Sequence, residues 1–207
     1  MTSILKADDI QDSSGNNIIN ESGDTITIGA SGDTISIPSG ATIANSGTAT
    51  GFGGITEADQ WRLTTSFQGD ADPIASNLER VDTTGFDKLG TGMSESSGIF
   101  TFPSTGIWQV TFNIFSYYSG ENRYATGAIQ VTTNNSSYAN IASGEQGITN
   151  AGANIYAHSC NQSLIDCTDT AQVKVRLKVD CEDNSTYIQG DTNVTYTNMT
   201  FTRLGDT

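Results

Sequence analysis

His158 is the sole histidine of the chain, and it lies in HSCNQSLIDC beside Cys160 and Cys167, with Cys181 farther along. Imidazole and thiolate are ligands that zinc prefers, yet the spacing lacks the paired CxxC knuckles of structural zinc sites. The 3 cysteines are too few and odd in number for a disulfide framework, so they read first as small free hydrophobes. A Cys160 to Cys167 bridge across a loop is the second reading, and it requires an oxidising compartment. Nucleophilic catalysis would have to recruit His158, but no Gly-x-Ser-x-Gly elbow stands near it. The histidine reads as structural or surface-exposed. Carboxylates open two other routes. Any two acids could flank a glycosidic bond as in a polysaccharide depolymerase, although Asp24 and Asp33 follow Ser-Gly, and Asp70 and Asp72 precede Pro73, contexts that turn formation explains. Asp166 and Asp169 with Asp180, Glu182 and Asp183 would chelate calcium if two loops converged, but no EF-hand spacing occurs. GFGG lacks the Lys-Ser/Thr that follows in a phosphate-binding loop. The expectation is a chain with no catalytic residues, no cofactor and no metal.

Residues suited to recognition are more plentiful. SYYSGENRY sets Tyr117, Tyr118 and Tyr124 around a Gly-Glu-Asn turn with Arg123, and TTNNSSYANIASGEQGITNAGANIYAHS is a long polar segment carrying Tyr138 and Tyr156. Flat amphipathic rings stack on sugars while amides satisfy hydroxyls, so these six residues are the receptor-binding candidates, for a host-surface glycan or protein. Ordinary strand ends and polar loops account for them equally well. The net charge of -14 opposes attraction to phosphate backbones and to anionic membrane surfaces, which argues against nucleic acid as a partner. No segment approaches the roughly 20 apolar residues of a membrane span. The opening MTSILKADDIQDSSG lacks the layout of a secretory signal, giving the expectation of a soluble protein made in a cytosol.

Positioning these residues falls to strands. Residues 1–21 alternate loosely around a Ser-Gly-Asn-Asn turn and lack helical periodicity. From residue 22 a repeat appears: SGDTITIGA, SGDTISIPS, GATIANSGT, each read as one short strand and one turn. A TITI strand buries too little by itself to offset the entropy of ordering its backbone. The spacing therefore predicts that Ile26, Ile28, Ile35, Ile37 and Ile43 pack against other coils or, preferably, against two further copies of the chain around a common axis. ANSGTATGFGGIT ends this stem, residues 22–56, as a flexible hinge. Residues 57–207 change texture to short apolar runs with polar turns and no amphipathic helix, which predicts an antiparallel β-sandwich. In QVKVRLKVD, Val173, Val175, Leu177 and Val179 face a core, while Lys174, Arg176 and Lys178 form a solvated row that discourages edge pairing.

Two strand-like runs meet in GIFTFPSTGIWQVTF, read as a hairpin with Phe100 and Phe102 on one face of the first and Trp108, Val110 and Phe112 on one face of the second. The order and spacing of Phe100, Gly106, Trp108, Val110 and Phe112, with the closing NVTYTNMTFTRL, resemble the signature of the complement globular head, a tumour-necrosis-factor-like jelly roll. That family usually has Tyr at Trp108 and an aromatic at Val110, and the upstream part fits only loosely around Phe86 and Met93. The resemblance covers about residues 58 to 205. It implies a homotrimer in which Phe100, Trp108, Val110, Phe112, Tyr196, Met199 and Phe201 divide between head core and trimer seam.

The leader TSILKADDIQDSSGNNI is similar to the short segment that opens many appendage proteins of tailed bacteriophages, particularly marine ones. This resemblance implies attachment to other virion proteins. The combined expectation is an all-β, homotrimeric virion appendage or tail fibre: a virion-attachment leader at 1–21, a Thr/Ile/Gly-rich β-repeat stem, and a jelly-roll head that adheres to the host surface. A capsid decoration or vertex fibre, and a depolymerase, are the alternatives.

Overall fold

The computed structural model describes residues 9–11, 13–15, 17–22, 25–29, 31–44 and 54–207. The chain divides into two units, Met1–Gly51 and Phe52–Thr207. In the first unit β1 (Asp9–Gln11), β2 (Asn17–Ser22) and β3 (Thr25–Ile28) form an antiparallel sheet in that order, with Ile10 opposite Ile19 and Ile19 opposite Ile28. The extended segments around a turn expected before residue 21 are thus a hairpin. The repeat is not uniform. TITI forms β3, whereas residues 33–38, which hold TISIP, adopt no regular strand, and neither do residues 41–44. A strand needs a neighbour to satisfy its backbone, and among the described residues the first repeat alone finds one, in β2.

The second unit begins with β4 (Ala58–Leu63), β5 (Thr65–Gln68), β6 (Leu78–Arg80), β7 (Ser94–Ser96) and β8 (Ile99–Thr101). Then follow β9 (Gly106–Tyr118), β10 (Asn122–Thr132), β11 (Ala139–Ile148), β12 (Ile155–Cys167), β13 (Lys174–Cys181), β14 (Tyr187–Asp191) and β15 (Asn198–Gly205). They build two antiparallel sheets. One runs β11-β10-β13-β8-β7; the other runs β5-β14-β9-β15-β4-β6, with β12 along the remaining side of β9.

The core lies between these sheets, and the period-two patterning of the sequence fills it. Trp108, Val110, Phe112 and Ile114 of β9 face Val175, Leu177 and Val179 of β13, and all seven are buried. Phe100, Met199 and Phe201 join them, with the Phe100 and Phe201 rings 5.0 Å apart and Phe102 5.2 Å from Trp108. The run GIFTFPSTGIWQVTF is not a hairpin, however: β8 pairs with β13 and β9 pairs in the opposite sheet. The PSTG link crosses the sandwich, because Phe100, Phe102 and Trp108 can all be buried only if their strands face each other across the core. Gly106 makes that entry possible, since at φ 142° a Cβ would lie 2.5 Å from the Gly205 carbonyl oxygen. Likewise β13 is no edge strand. It lies between β10 and β8, and two residues of its basic row meet acids: Arg176 reaches Asp72 at 3.0 Å, and Lys178 reaches Asp72 and Asp180 at 3.5 Å, whereas Lys174 donates to the Thr170 carbonyl.

One buried carboxylate fastens β4 to the loop before β7. Asp59 accepts hydrogen bonds from Trp61 Nε1 (2.9 Å), the Met93 backbone N–H (2.8 Å) and Arg80 Nε (2.9 Å). A carboxylate withdrawn from water needs this many donors, one of them charged, to offset its desolvation.

Candidate adhesion face

Strand parity settles which side chains the β9 sheet turns outward. With Trp108 to Ser116 inward, the alternate residues Gln109, Thr111, Asn113, Phe115 and Tyr117 point away from the core. In register, Tyr117 lies between Tyr156 of β12 and Tyr187 of β14, so three tyrosines stand abreast on three strands. The Tyr117 and Tyr187 rings are stacked, centroids 4.7 Å apart and 2° from parallel, and Tyr156 is 5.5 Å from Tyr117. One rung down, Phe115 lies 4.4 Å from the His158 ring and 6.1 Å from Tyr196. Tyr156 remains 63% exposed, Tyr187 37%. Six rings therefore form a continuous aromatic stripe on one end of a sheet face, a concentration of apolar surface that lone exposed residues do not produce.

Of the receptor-binding candidates, Tyr117 and Tyr156 belong to this stripe. Tyr118, the next residue on the strand, points the opposite way and donates its hydroxyl to Asp183 at 2.8 Å. That bond and the Ser185 backbone N–H hold the Asp183 carboxyl below the usual carboxylate range. Arg123 and Tyr124 are exposed at the start of β10, where Arg123 forms an ion pair with Glu182. Tyr138 is elsewhere, on the outer side of the five-stranded sheet, its ring 4.1 Å from the Arg176 guanidinium. Burial raises its phenol above the ordinary value, against the pull of Arg176. Tyr156 is a strand residue, because the polar segment after Thr132 contains all of β11 and the start of β12.

The core-or-seam set divides cleanly within one copy. Phe100, Trp108, Val110, Phe112, Met199 and Phe201 are core, whereas Tyr196 is half-buried in the outer stripe. Ile26, Ile28, Ile35, Ile37 and Ile43 are all exposed, Ile26 to 68%. Sequence reasoning missed Tyr187 as a partner of Tyr117, and Phe115 with His158 as the neighbouring rung. The signal for the first was present, since fixing Trp108 inward fixes Phe115 outward by counting in twos; Tyr187 required the register of β14 on β9.

For chemistry the same geometry leaves little. His158 is packed on Phe115, and Cys160 shares its outward row on β12, but Cys167 points into the core from the same strand. Opposite faces rule out a Cys160 to Cys167 bridge, and all three cysteines are free thiols. Burial pushes Cys181 up to about 12 and also raises Cys167, so both are inert as thiolates. Among the described residues no three His, Cys, Asp or Glu side chains gather as a metal site, the acids at 166–169 and 180–183 included.

No family model matches the chain, and no curated protein does. Solved structures do. A crystal structure of murine APRIL at pH 5.0 superimposes with a TM-score of 0.50 at 9% identity, covering 72% of this chain and 98% of that one. A second murine APRIL structure, at pH 8.5, gives a TM-score of 0.49 with the same identity and coverage. At such identity the likeness establishes the fold alone: the sandwich is a tumour-necrosis-factor-like jelly roll.

Proposed function

We propose that the chain is a non-enzymatic, homotrimeric virion protein, a tail fibre or appendage whose jelly-roll head adheres to the host-cell surface. The observation that carries this reading is the pairing of two uncovered apolar surfaces in one chain. The stripe around Tyr117 and Phe115 exposes rings that water solvates poorly, and the isoleucines of residues 26–43 find no cover inside one copy. Each fully buried isoleucine is worth about 1.5–3 kcal/mol, so a stem that covers five per chain with its own copies has a strong reason to assemble. A second copy of the chain occupies both surfaces in the proposed assembly. Three heads then act together, and multivalency raises weak single-site contacts into firm attachment. With the stripe committed to assembly, Arg123 and Tyr124 remain as the exposed contacts among the candidates, since the Tyr138 hydroxyl is buried.

The virion assignment is supported by the resemblance of the leader to phage appendage proteins, of which residues 1–8 lie outside the described residues. Gold-labelled antibody against the head, applied to purified virions, tests it. Labelling at the tail extremity is the expected result; labelling over the shell would move the protein to capsid decoration, and unlabelled particles would end the virion reading.

A further inference from the structure

The five-stranded sheet turns a second, chemically different surface outward at its β7–β8 edge. Ser94 lies opposite Thr101, which lies opposite Lys174; one rung along, Ser96 lies opposite Ile99. Asn135, in the turn between β10 and β11, holds a positive φ of 51° and donates its backbone N–H to the Gln172 carbonyl at 2.9 Å, which brings it to the same place. These side chains line a groove of about 540 Å³, within the range of roughly 300–1,000 Å³ typical of small-ligand sites.

Two features of the groove bear on a ligand. The first is uncommitted hydrogen-bonding capacity. Among the described residues, no bond within the chain engages the hydroxyls of Ser94, Ser96, Ser97 and Thr101 or the side-chain amide of Asn135. Free hydroxyls also occur elsewhere in the head, at Ser159 and Thr186 for example, but here four of them share one groove with an amide. The second is an unneutralised cation. Arg62, Arg80, Arg123, Arg176, Lys178 and Arg203 each pair with an acid, whereas Lys88 donates its ammonium to the Gly90 carbonyl at 2.6 Å without a carboxylate partner among the described residues. Lys174 has no carboxylate within salt-bridge distance among the described residues. Its ammonium donates to the Thr170 carbonyl at 2.6 Å and keeps two N–H bonds for another acceptor. The acid in the groove, Glu95, is occupied by the Gly98 backbone N–H at 2.6 Å.

We propose that this groove binds a carboxylate-bearing sugar of a surface polysaccharide, with Lys174 on the carboxylate and Ser96, Thr101 and Asn135 on the flanking hydroxyls. Short hydroxyl and amide side chains suit a ligand that is itself both donor and acceptor at every position, and Ile99 supplies one apolar patch for a sugar C–H face. The charge of the whole protein repels polyanions at long range. Selectivity therefore comes from direct contact at Lys174. The inference rests on the adhesion reading and names the chemistry of its receptor.

Titration of the full-length protein with trigalacturonate and with the neutral maltotriose, followed by calorimetry or NMR, tests it. Trigalacturonate is expected to bind and maltotriose to bind at least about tenfold more weakly, a difference of about 1.4 kcal/mol. Lys174→Met should remove most of that preference, Lys174→Arg should keep it, and Ser96→Trp, which fills the groove from an edge strand, should abolish binding of both. Equal binding of the two sugars, no binding of either, or binding that survives Lys174→Met and Ser96→Trp in folded variants would overturn the proposal. Attachment of fluorescent protein to host cells separates the two readings. Wild type and Ser96→Trp attaching equally would leave adhesion standing and remove the groove from it, whereas wild type failing to attach would remove adhesion itself.

Discussion

Strands β3 and β13 both alternate, TITI in one and KVRLKVDC in the other, yet they end in opposite circumstances. In β13 every second side chain is buried; in β3 all four are exposed. The difference lies in neighbours, not in propensity. β13 has a strand on each side and a second sheet beneath, while among the described residues β3 pairs with β2 alone and no second layer covers their three-stranded sheet. Alternation prepares a strand for burial but supplies no second layer. The head finds that layer within one chain, and in the homotrimer proposed above the amino-terminal unit would take it from other copies.

The sharpest way to break this contrast is to empty the head core. Trp108 is fully buried, packed on Phe102, and donates its indole N–H to the Ser104 carbonyl at 3.2 Å. Trp108→Ala should cost about 3–5 kcal/mol in a denaturant titration of the head, and a loss under about 1 kcal/mol would mean that the head core is not organised around it. Asp59→Asn comes next. It keeps the shape but removes the charge that Arg80 and two further donors use, and should cost about 2 kcal/mol by the same measurement. Replacing Ile26, Ile28 and Ile35 by Asn should move head stability by less than about 0.5 kcal/mol. It should nevertheless render the amino-terminal unit sensitive to limited proteolysis, and unchanged protection would show that those isoleucines are not packed together. The smallest effect concerns acid. Because the folded state lowers the Asp183 pKa, its contribution is present above the unfolded value of 3.8 and is lost as pH falls through the folded value. Tyr118→Phe removes one of the donors, so its unfolding midpoint should fall less than that of wild type on acidification below 3.8.

Much of the head was legible from residue order. Counting in twos along QVKVRLKVD put Val175, Leu177 and Val179 on a core face, and along GIWQVTF it put Trp108, Val110 and Phe112 on one shared face without deciding between core and trimer seam; all six are buried in the core of one copy. What escaped was everything set by pairing between distant segments. GIFTF and GIWQVTF look like partners because a Pro-Gly link between apolar runs is a local turn signal, and only the competition of all strands for the core assigns them to opposite sheets. The basic row of β13 has the composition of an edge strand, but Asp72, about a hundred residues earlier in the chain, lies over it. The candidate site followed the same rule. Tyr117 and Tyr156 were recognisable as tyrosines, but their union with Tyr187, and the departure of Tyr118 to the other face, depend on strand register.

Sedimentation equilibrium of the full-length protein at micromolar concentration tests the central claim most directly. Cover supplied by neighbouring copies gives a mass three times the 21.8 kDa of one chain, reduced by Phe115→Asp in the outward stripe. A folded species of 21.8 kDa that shows no association at that concentration would contradict it.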